Sequence, residues 1–157
     1  MISRRDLLTG AAFLVPGAAA LAAASDAMAA ADAPAARGYT PVRTLNGTTL
    51  KYTLEDGVKV FRLVAEEIDH EFAPGMIGAC WGYNGQTPGP TIEVVEGDRV
   101  RIYVTNKLPE HTTVHWHGIL LPSGMDGVGG LSQPHIKPGE TYVYEFTLRQ
   151  HGTYMYH

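Results

Sequence analysis

The chain has 157 residues, with 12 lysines and arginines against 16 aspartates and glutamates, a formal net charge of -4. This length suits one small domain, and the scattered basic residues argue against a nucleic-acid partner. Eighteen glycines and ten prolines, concentrated after Pro34, separate short runs of valine, isoleucine, threonine and tyrosine. That pattern is typical of strands joined by turns, so we predict an all-β domain.

The first residues have the pattern of an export signal. Arg4 and Arg5 precede a weakly hydrophobic, alanine-rich run over residues 7–24, and Ala27-Met28-Ala29 supplies the small residues of a cleavage site. The paired arginines resemble a twin-arginine signal. We therefore predict a helical signal peptide over residues 1–29 and export to the periplasm. An uncleaved membrane anchor is the alternative, but glycine, proline and many alanines make this run a poor spanning helix.

The remainder is predicted to be one folded unit without internal repeats. Residues 30–40 form a short linker rich in alanine and proline, and residues 41–157 form the domain. Cys80 is the only cysteine, so an intramolecular disulfide cannot form even in an oxidising compartment. Because it lies beside Trp81, Cys80 is predicted to be a buried small apolar residue rather than a reactive thiol or metal ligand.

Hydrophobic alternation predicts the strands of this domain. Residues 58–68 and 91–95 have strand composition. Clear alternation follows in two later segments, whose apolar positions are Val100, Ile102 and Val104, and then Tyr142, Tyr144, Phe146 and Leu148. Each of these two strands should have a buried face and a solvent-exposed face.

Two histidines at i and i+2, His115 and His117, lie in a segment of strand composition. The strand period places both imidazoles on one face, with Val114 and Trp116 pointing into the core. Their Cβ atoms would lie roughly 6.5 Å apart, which suits one histidine for each of two neighbouring metals. A bent strand could instead let the pair chelate one ion, and two solvated histidines are the alternative without a metal. Imidazole suits copper, zinc, iron or nickel, so the spacing alone does not name the metal.

A second histidine strand is predicted at the end of the sequence. Tyr154 and Tyr156 would share one face, and Thr153, Met155 and His157 the other. A further residue at the next position on that face would complete a second His-x-His pair. Two such strands side by side would offer four imidazoles to one metal cluster.

Several ordered motifs together resemble the first domain of the multicopper oxidase family. They cover nearly all of the chain after the signal and are Tyr83-Asn84-Gly85-Gln86-Thr87-Pro88-Gly89-Pro90, Glu96-Gly97-Asp98, Asn106-Lys107-Leu108-Pro109-Glu110, His115-Trp116-His117-Gly118, Met125-Asp126-Gly127, Pro138-Gly139-Glu140 and Gly152-Thr153-Tyr154-Met155-Tyr156-His157. The resemblance implies a cupredoxin-like Greek-key β-sandwich, copper as the cofactor, and truncation inside the second histidine pair.

The resemblance also implies roles for individual residues. His115 matches a ligand of the type 2 copper in a trinuclear cluster, and His117 and His157 match ligands of the type 3 pair. Asp126 matches an acidic residue that assists proton delivery to oxygen as it is reduced; its alternative role is that of an Asp-Gly turn residue. Met155 stands where the family often has tryptophan, and we predict that it packs rather than binds copper.

The remaining four histidines match no ligand position. They are predicted to be surface or turn residues: His70, His111, His135 and His151. His111 lies nearest to the predicted site in sequence.

The departures from the family pattern limit what this chain could do alone. The family's type 1 copper is held by a cysteine between nearby histidines in its last domain, and the sequence contains no such arrangement. The cluster also needs histidines from that domain, so the expected partners are the remaining cupredoxin domains of the same polypeptide, with dioxygen and a phenolic or metal-ion donor as substrates. We expect a fragment or a truncated gene product, inactive by itself. A non-catalytic exported copper-binding or scaffold protein is the alternative, and a zinc site is a third possibility.

Overall fold

The computed structural model describes residues 39–45 and 47–157, so the predicted signal peptide and most of the linker lie outside the described residues. The regular elements of this part are seven strands and one short 3-10 helix, Ser123–Met125. The strands are β1 (Thr53–Glu55), β2 (Val58–Ala73), β3 (Met76–Tyr83), β4 (Arg99–Asn106), β5 (Trp116–His117), β6 (Thr141–Thr147) and β7 (Met155–Tyr156). No helix in the described ranges is long and apolar enough to cross a membrane.

The main sheet has the order β1-β2-β4-β6, with β3 also paired to β2. The first half of β2 runs parallel to β4, from Val58 opposite Arg99 to Ala65 opposite Asn106. From Ala65 onward β2 pairs with β3 instead. Beyond the edge of the main sheet, β2 and β3 therefore form a two-stranded arm whose side chains are mostly exposed or half-buried.

A second, small sheet consists of β5 and β7, which pair antiparallel. Trp116 lies opposite Tyr156, and His117 lies opposite Met155. Two further backbone hydrogen bonds extend the pairing by one step: the His115 amide donates to the His157 carbonyl at 2.8 Å, and the His157 amide donates back at 3.1 Å. This register places the two predicted histidine segments side by side.

The hydrophobic core lies between the two sheets. Its buried members come from β2, β4, β6, the residues next to β5 and β6, and the bridge residue Ile136: Phe61, Leu63, Val100, Ile102, Val104, Val114, Trp116, Ile136, Tyr144, Phe146 and Leu148. The alternation predicted for the two later strands is confirmed, because their apolar positions face this core. The inward direction of Val114 and Trp116 is confirmed as well, with 0% and 4% of their surfaces exposed.

The structure corrects the prediction for residues 91–95, which do not form a strand. Thr91 makes one isolated bridge, to Thr49. Farther along, the Val95 amide donates to the side-chain carboxylate of Asp98 at 2.8 Å, within the Glu96-Gly97-Asp98 turn. A local side-chain acceptor thus replaces a strand partner at this position.

The prediction that Cys80 is buried is wrong. Cys80 lies half-buried on β3, and its neighbour Trp81 is 49% exposed. Among the described residues, β3 pairs with no strand except β2, and no second layer covers its outer positions there. The strand predicted over 58–68 is confirmed and extends to Ala73, because β3 continues to pair with it there.

Candidate metal centre

Three histidines, His115, His117 and His157, converge at the β5–β7 sheet. One ligand atom from each lies within 4.8 Å of those of the other two. Their ring centroids form a nearly equilateral triangle, with separations of 5.4 Å from His115 to either partner and 5.7 Å between His117 and His157. Three imidazoles at this separation can serve one metal ion or be divided between neighbouring ions.

Strand pairing explains this convergence. His115 and His117 are two residues apart and therefore point to the same side of their strand. His157 lies directly opposite His115, and directly opposed residues of an antiparallel pair share a face. The alternate residues Trp116 and Tyr156 face the other way, with ring centroids 5.9 Å apart. Burial of one face thus presents the imidazoles on the other.

The orientation of His115 is set by a main-chain contact. Its Nδ1 lies 2.6 Å from the backbone carbonyl oxygen of Asp126. A carbonyl oxygen only accepts, so Nδ1 must donate and carry the proton. In the neutral imidazole this leaves Nε2 as the nitrogen that can bind a metal, in the arrangement that commonly fixes the tautomer of metal-binding histidines.

The carboxylate of Asp126 also lies beside His115. Its Oδ1 is 3.5 Å from His115 Nδ1, and the side chain is partly exposed. The backbone of Asp126 ends the 3-10 helix, where its amide donates to the Ser123 carbonyl at 3.1 Å. Asp126 is therefore both a turn residue and a neighbour of the histidine cluster. A role in the turn and a role in proton delivery are compatible.

Gly127 permits this close approach and was not singled out by sequence reasoning. Its φ is +80°, and an added Cβ would lie 1.9 Å from the carbonyl oxygen of Val114 and 2.8 Å from the His115 Cα. Any side chain would push the turn away from the histidine strand. The Met125-Asp126-Gly127 motif already pointed to this turn in the sequence. The steric reason for a glycine there follows only from the structure.

Two tyrosines support β7 from the side opposite the histidines. Tyr156 donates from its hydroxyl to the Pro90 carbonyl at 2.7 Å, and its ring packs edge-on against Tyr83 at 5.2 Å. Burial raises the pKa of Tyr83 to about 12, and burial likewise raises the pKa of Tyr156. Both phenols therefore stay neutral near pH 7 and add no charge beneath the cluster.

The other singled-out residues do not join the cluster. Met155 shares the face of His117 but is 59% exposed, so the prediction that it packs is wrong for the described part of the chain. Nothing described covers this face of the small sheet at that position. Of the four remaining histidines, His111, His135 and His151 are exposed and His70 is half-buried beside Phe72.

Residues 65–157 match the sequence family described as multicopper oxidase. The chain belongs to the multicopper oxidase family. Copper is therefore the metal of the family to which this histidine cluster belongs, and three imidazoles form a donor set that suits it. The zinc alternative has no comparable support.

Curated relatives agree with this assignment. Copper resistance protein A of Escherichia coli is 54% identical over 74 residues, which cover 47% of this chain and 12% of that protein. L-ascorbate oxidase of Brassica rapa subsp. pekinensis is 42% identical over 104 residues, covering 61% of this chain and 18% of that protein. The chain thus spans less than a fifth of the length of either relative.

Solved structures confirm the all-β, cupredoxin-like fold. A multi-copper oxidase from Pseudomonas thermotolerans superposes with a TM-score of 0.62 at 43% identity, covering 64% of this chain and 24% of that one. A multicopper oxidase from Campylobacter jejuni, described as a metallo-oxidase, gives a TM-score of 0.63 at 38% identity, covering 71% of this chain and 24% of that one.

Proposed function

We propose that this chain is the N-terminal part of a multicopper oxidase and contributes His115, His117 and His157 to a trinuclear copper cluster. The observation that carries the proposal is the convergence of these three imidazoles, with ligand atoms within 4.8 Å of one another. The complete oxidase would couple one-electron oxidation of a phenolic or metal-ion donor to the reduction of dioxygen to water. Copper supplies the redox chemistry, and this chain supplies ligands and their orientation.

Within the cluster, we assign His115 to the type 2 copper and His117 and His157 to the type 3 pair. The position of His115 supports a distinct role, because its Nδ1 is occupied by the Asp126 carbonyl and only Nε2 remains for a metal. The other ligands and the type 1 copper would come from the remaining cupredoxin domains of the same polypeptide.

Asp126 is proposed to hold and release protons during oxygen reduction. Its carboxylate lies 3.5 Å from His115 Nδ1 and keeps 39% of its side-chain surface exposed. A group in this position can exchange protons with solvent and pass them toward the cluster. Asp126→Asn would keep the turn and the carbonyl contact but remove the titratable group.

The predicted domain, residues 41–157 and incomplete at its C-terminal end, follows the linker 30–40. An apolar groove of about 740 Å³ beside the small sheet supports incompleteness. Trp116, Phe146 and Leu148 line it together with β7. Tyr154 and Met155, which also border the groove, remain 38% and 59% exposed, so we propose that a further part of the same polypeptide packs here.

Export by a twin-arginine signal over residues 1–29 completes the proposal. The paired arginines and the Ala27-Met28-Ala29 site support it. Expression of the precursor with Arg4→Lys and Arg5→Lys together should retain the protein in the cytoplasm, whereas the parent should appear in the periplasm with residue 30 as its N-terminus. Equal export of both precursors, or an exported chain that still begins at residue 1, would contradict the proposal of a cleaved twin-arginine signal.

The decisive experiment replaces His117 in the polypeptide that contains this chain together with its remaining domains. His117→Ala should abolish dioxygen uptake yet keep the blue absorbance of the type 1 copper, because that copper lies elsewhere. His151→Ala, at a histidine that is 93% exposed, is the matched control and should keep normal turnover. Normal oxygen uptake by the His117 variant would contradict the assignment of His117 as a ligand of the copper cluster.

The isolated 157-residue chain separates this proposal from the non-catalytic alternative. We expect weak copper binding and no oxidase activity, since the type 1 site is missing from the sequence. Oxidase turnover by the purified chain would refute the proposal that the type 1 copper and the other cluster ligands come from other domains. A longer polypeptide that binds copper but lacks any turnover would instead favour the copper-binding or scaffold function.

A further inference from the structure

A second pair of histidines lies outside the three-histidine cluster. The rings of His111 and His135 are in contact, with centroids 4.3 Å apart and planes inclined by 57°. Both residues are exposed, so water and dissolved ions can reach them. Neither takes part in the cluster described above.

The backbone holds these two residues side by side. Thr112 and Ile136 form an antiparallel bridge, with amide-to-carbonyl hydrogen bonds of 3.0 Å and 2.8 Å in the two directions. His111 directly precedes Thr112, and His135 directly precedes Ile136. The two imidazoles are therefore diagonal neighbours across a fixed pair of strand-like segments, within reach of each other.

Asn106 reinforces the same connection from inside the core. It is fully buried, and its Nδ2 donates to the carbonyls of Glu110 at 2.7 Å and of Ile136 at 2.8 Å. Glu110 precedes His111, and Ile136 follows His135. One side-chain amide thus ties together the two backbone segments that carry the rings, which lowers the entropy lost when both rings bind one ligand.

Gly129 packs directly against the His135 ring because it has no side chain. A Cβ at Gly129 would lie 2.4 Å from both Cε1 and Nδ1 of His135 and 3.2 Å from Thr113 Cγ2. A residue with a side chain would therefore displace the ring. The small residue keeps His135 in its place beside His111.

We propose that His111 and His135 form a second metal site, which binds one Cu(II) ion through two imidazoles with water at the remaining positions. Paired imidazoles suit borderline cations, and copper most strongly among the divalent ions of the first transition row. His111 precedes His115 by four residues, roughly 13 Å along an extended strand. The site is therefore separate from the cluster, and its exposure makes its copper exchangeable.

Calorimetric titration of the metal-free chain with Cu(II) tests this inference. The parent should bind one more ion than His111→Ala or His135→Ala, because each change removes one of the two ligands. Any binding left at this site should be at least about tenfold weaker, since the loss of an outer partner alone costs that much. His117→Ala should retain the second site. His151→Ala is the control and should match the parent.

A variant that keeps both histidines supplies an independent test. Gly129→Ala should move the His135 ring and weaken binding at the second site while leaving the other site unchanged. Identical Cu(II) stoichiometry and affinity in the parent and in the His111, His135 and Gly129 variants would overturn the proposal.

Chemical protection gives a measurement that needs no variant. Histidines of the parent chain are modified with diethylpyrocarbonate, with and without Cu(II), and the modified positions are read by mass spectrometry. Bound copper should protect His111 and His135 together, and His151 should remain reactive. Unchanged modification of His111 and His135 at saturating Cu(II) would refute the site even if a variant failed to fold.

Discussion

The contact between the Asp126 turn and the histidine strand can be tested by Gly127→Ala. At Gly127 an added Cβ would lie 1.9 Å from the Val114 carbonyl oxygen, and the φ of +80° disfavours any L side chain. The left-handed backbone alone costs about 1–2 kcal/mol. Displacement of the turn would also break the hydrogen bond from His115 to the Asp126 carbonyl, which contributes about 0.5–1.5 kcal/mol.

Gly139→Ala is the matched control, because Gly139 has nearly the same φ, +82°, but open space where the Cβ would be. Both variants carry the backbone cost, and only Gly127→Ala adds the collision and the lost hydrogen bond. Thermal unfolding should place the Gly127 variant below the control by at least about 1 kcal/mol, or a Tm difference of about 4 °C.

Copper titration should show a second difference between the two variants. With His115 no longer oriented, the Gly127 variant should lose about 10–100-fold in affinity at the three-histidine cluster, as expected for loss of a supporting contact. The control should bind like the parent. Equal stability and equal copper affinity in the two variants would refute the steric explanation.

Three further changes test the interior. Asn106→Ala removes three hydrogen bonds of a buried side-chain amide and leaves the buried Leu108 amide without its acceptor, so urea titration should show a loss of about 2–4 kcal/mol; a loss smaller than 1 kcal/mol would mean that water replaces the side-chain amide. Tyr144→Phe removes the hydroxyl that accepts the Val114 amide at 2.9 Å, and should cost about 1–3 kcal/mol in the same assay, with an unchanged midpoint as the contrary result. Burial raises the pKa of Tyr83 from 10.0 to about 12, so its contribution to stability is full below pH 10 and is lost as the pH rises to about 12. Tyr83→Phe should therefore lose less stability than the parent over that interval, as followed by circular dichroism, and parallel pH profiles would contradict this.

The strand period was sufficient to predict the local part of the site. His115 and His117 share a face because they are two residues apart, and the buried neighbours Val114 and Trp116 confirm the direction of that face. The position of His157 opposite His115 depends on pairing between segments about forty residues apart. Sequence patterns predicted the two histidine strands, whereas the register between them became known only from the fold.

The two wrong predictions for Cys80 and Met155 have a common physical cause. Alternation shows which residues share a face, but it does not show whether another layer covers that face. Cys80 lies on the exposed β2–β3 arm, and Met155 lies on the outer side of a two-stranded sheet. Residues 91–95 have strand composition, but Val95 at the end of this segment donates its amide to the Asp98 side chain instead of to a neighbouring strand.

Because the oxygen that orients His115 belongs to the main chain of Asp126, every amino acid at position 126 can provide it. The side chain at that position is thereby free to change its acidity, size or hydrogen bonding without turning the imidazole. If Asp126 has the proposed role, its main-chain oxygen orients the histidine and its side chain supplies protons, so different atoms of one residue set the two properties. Under the proposed function, substitutions at position 126 would change the pH dependence of the complete oxidase without moving His115, provided that position 127 remains glycine.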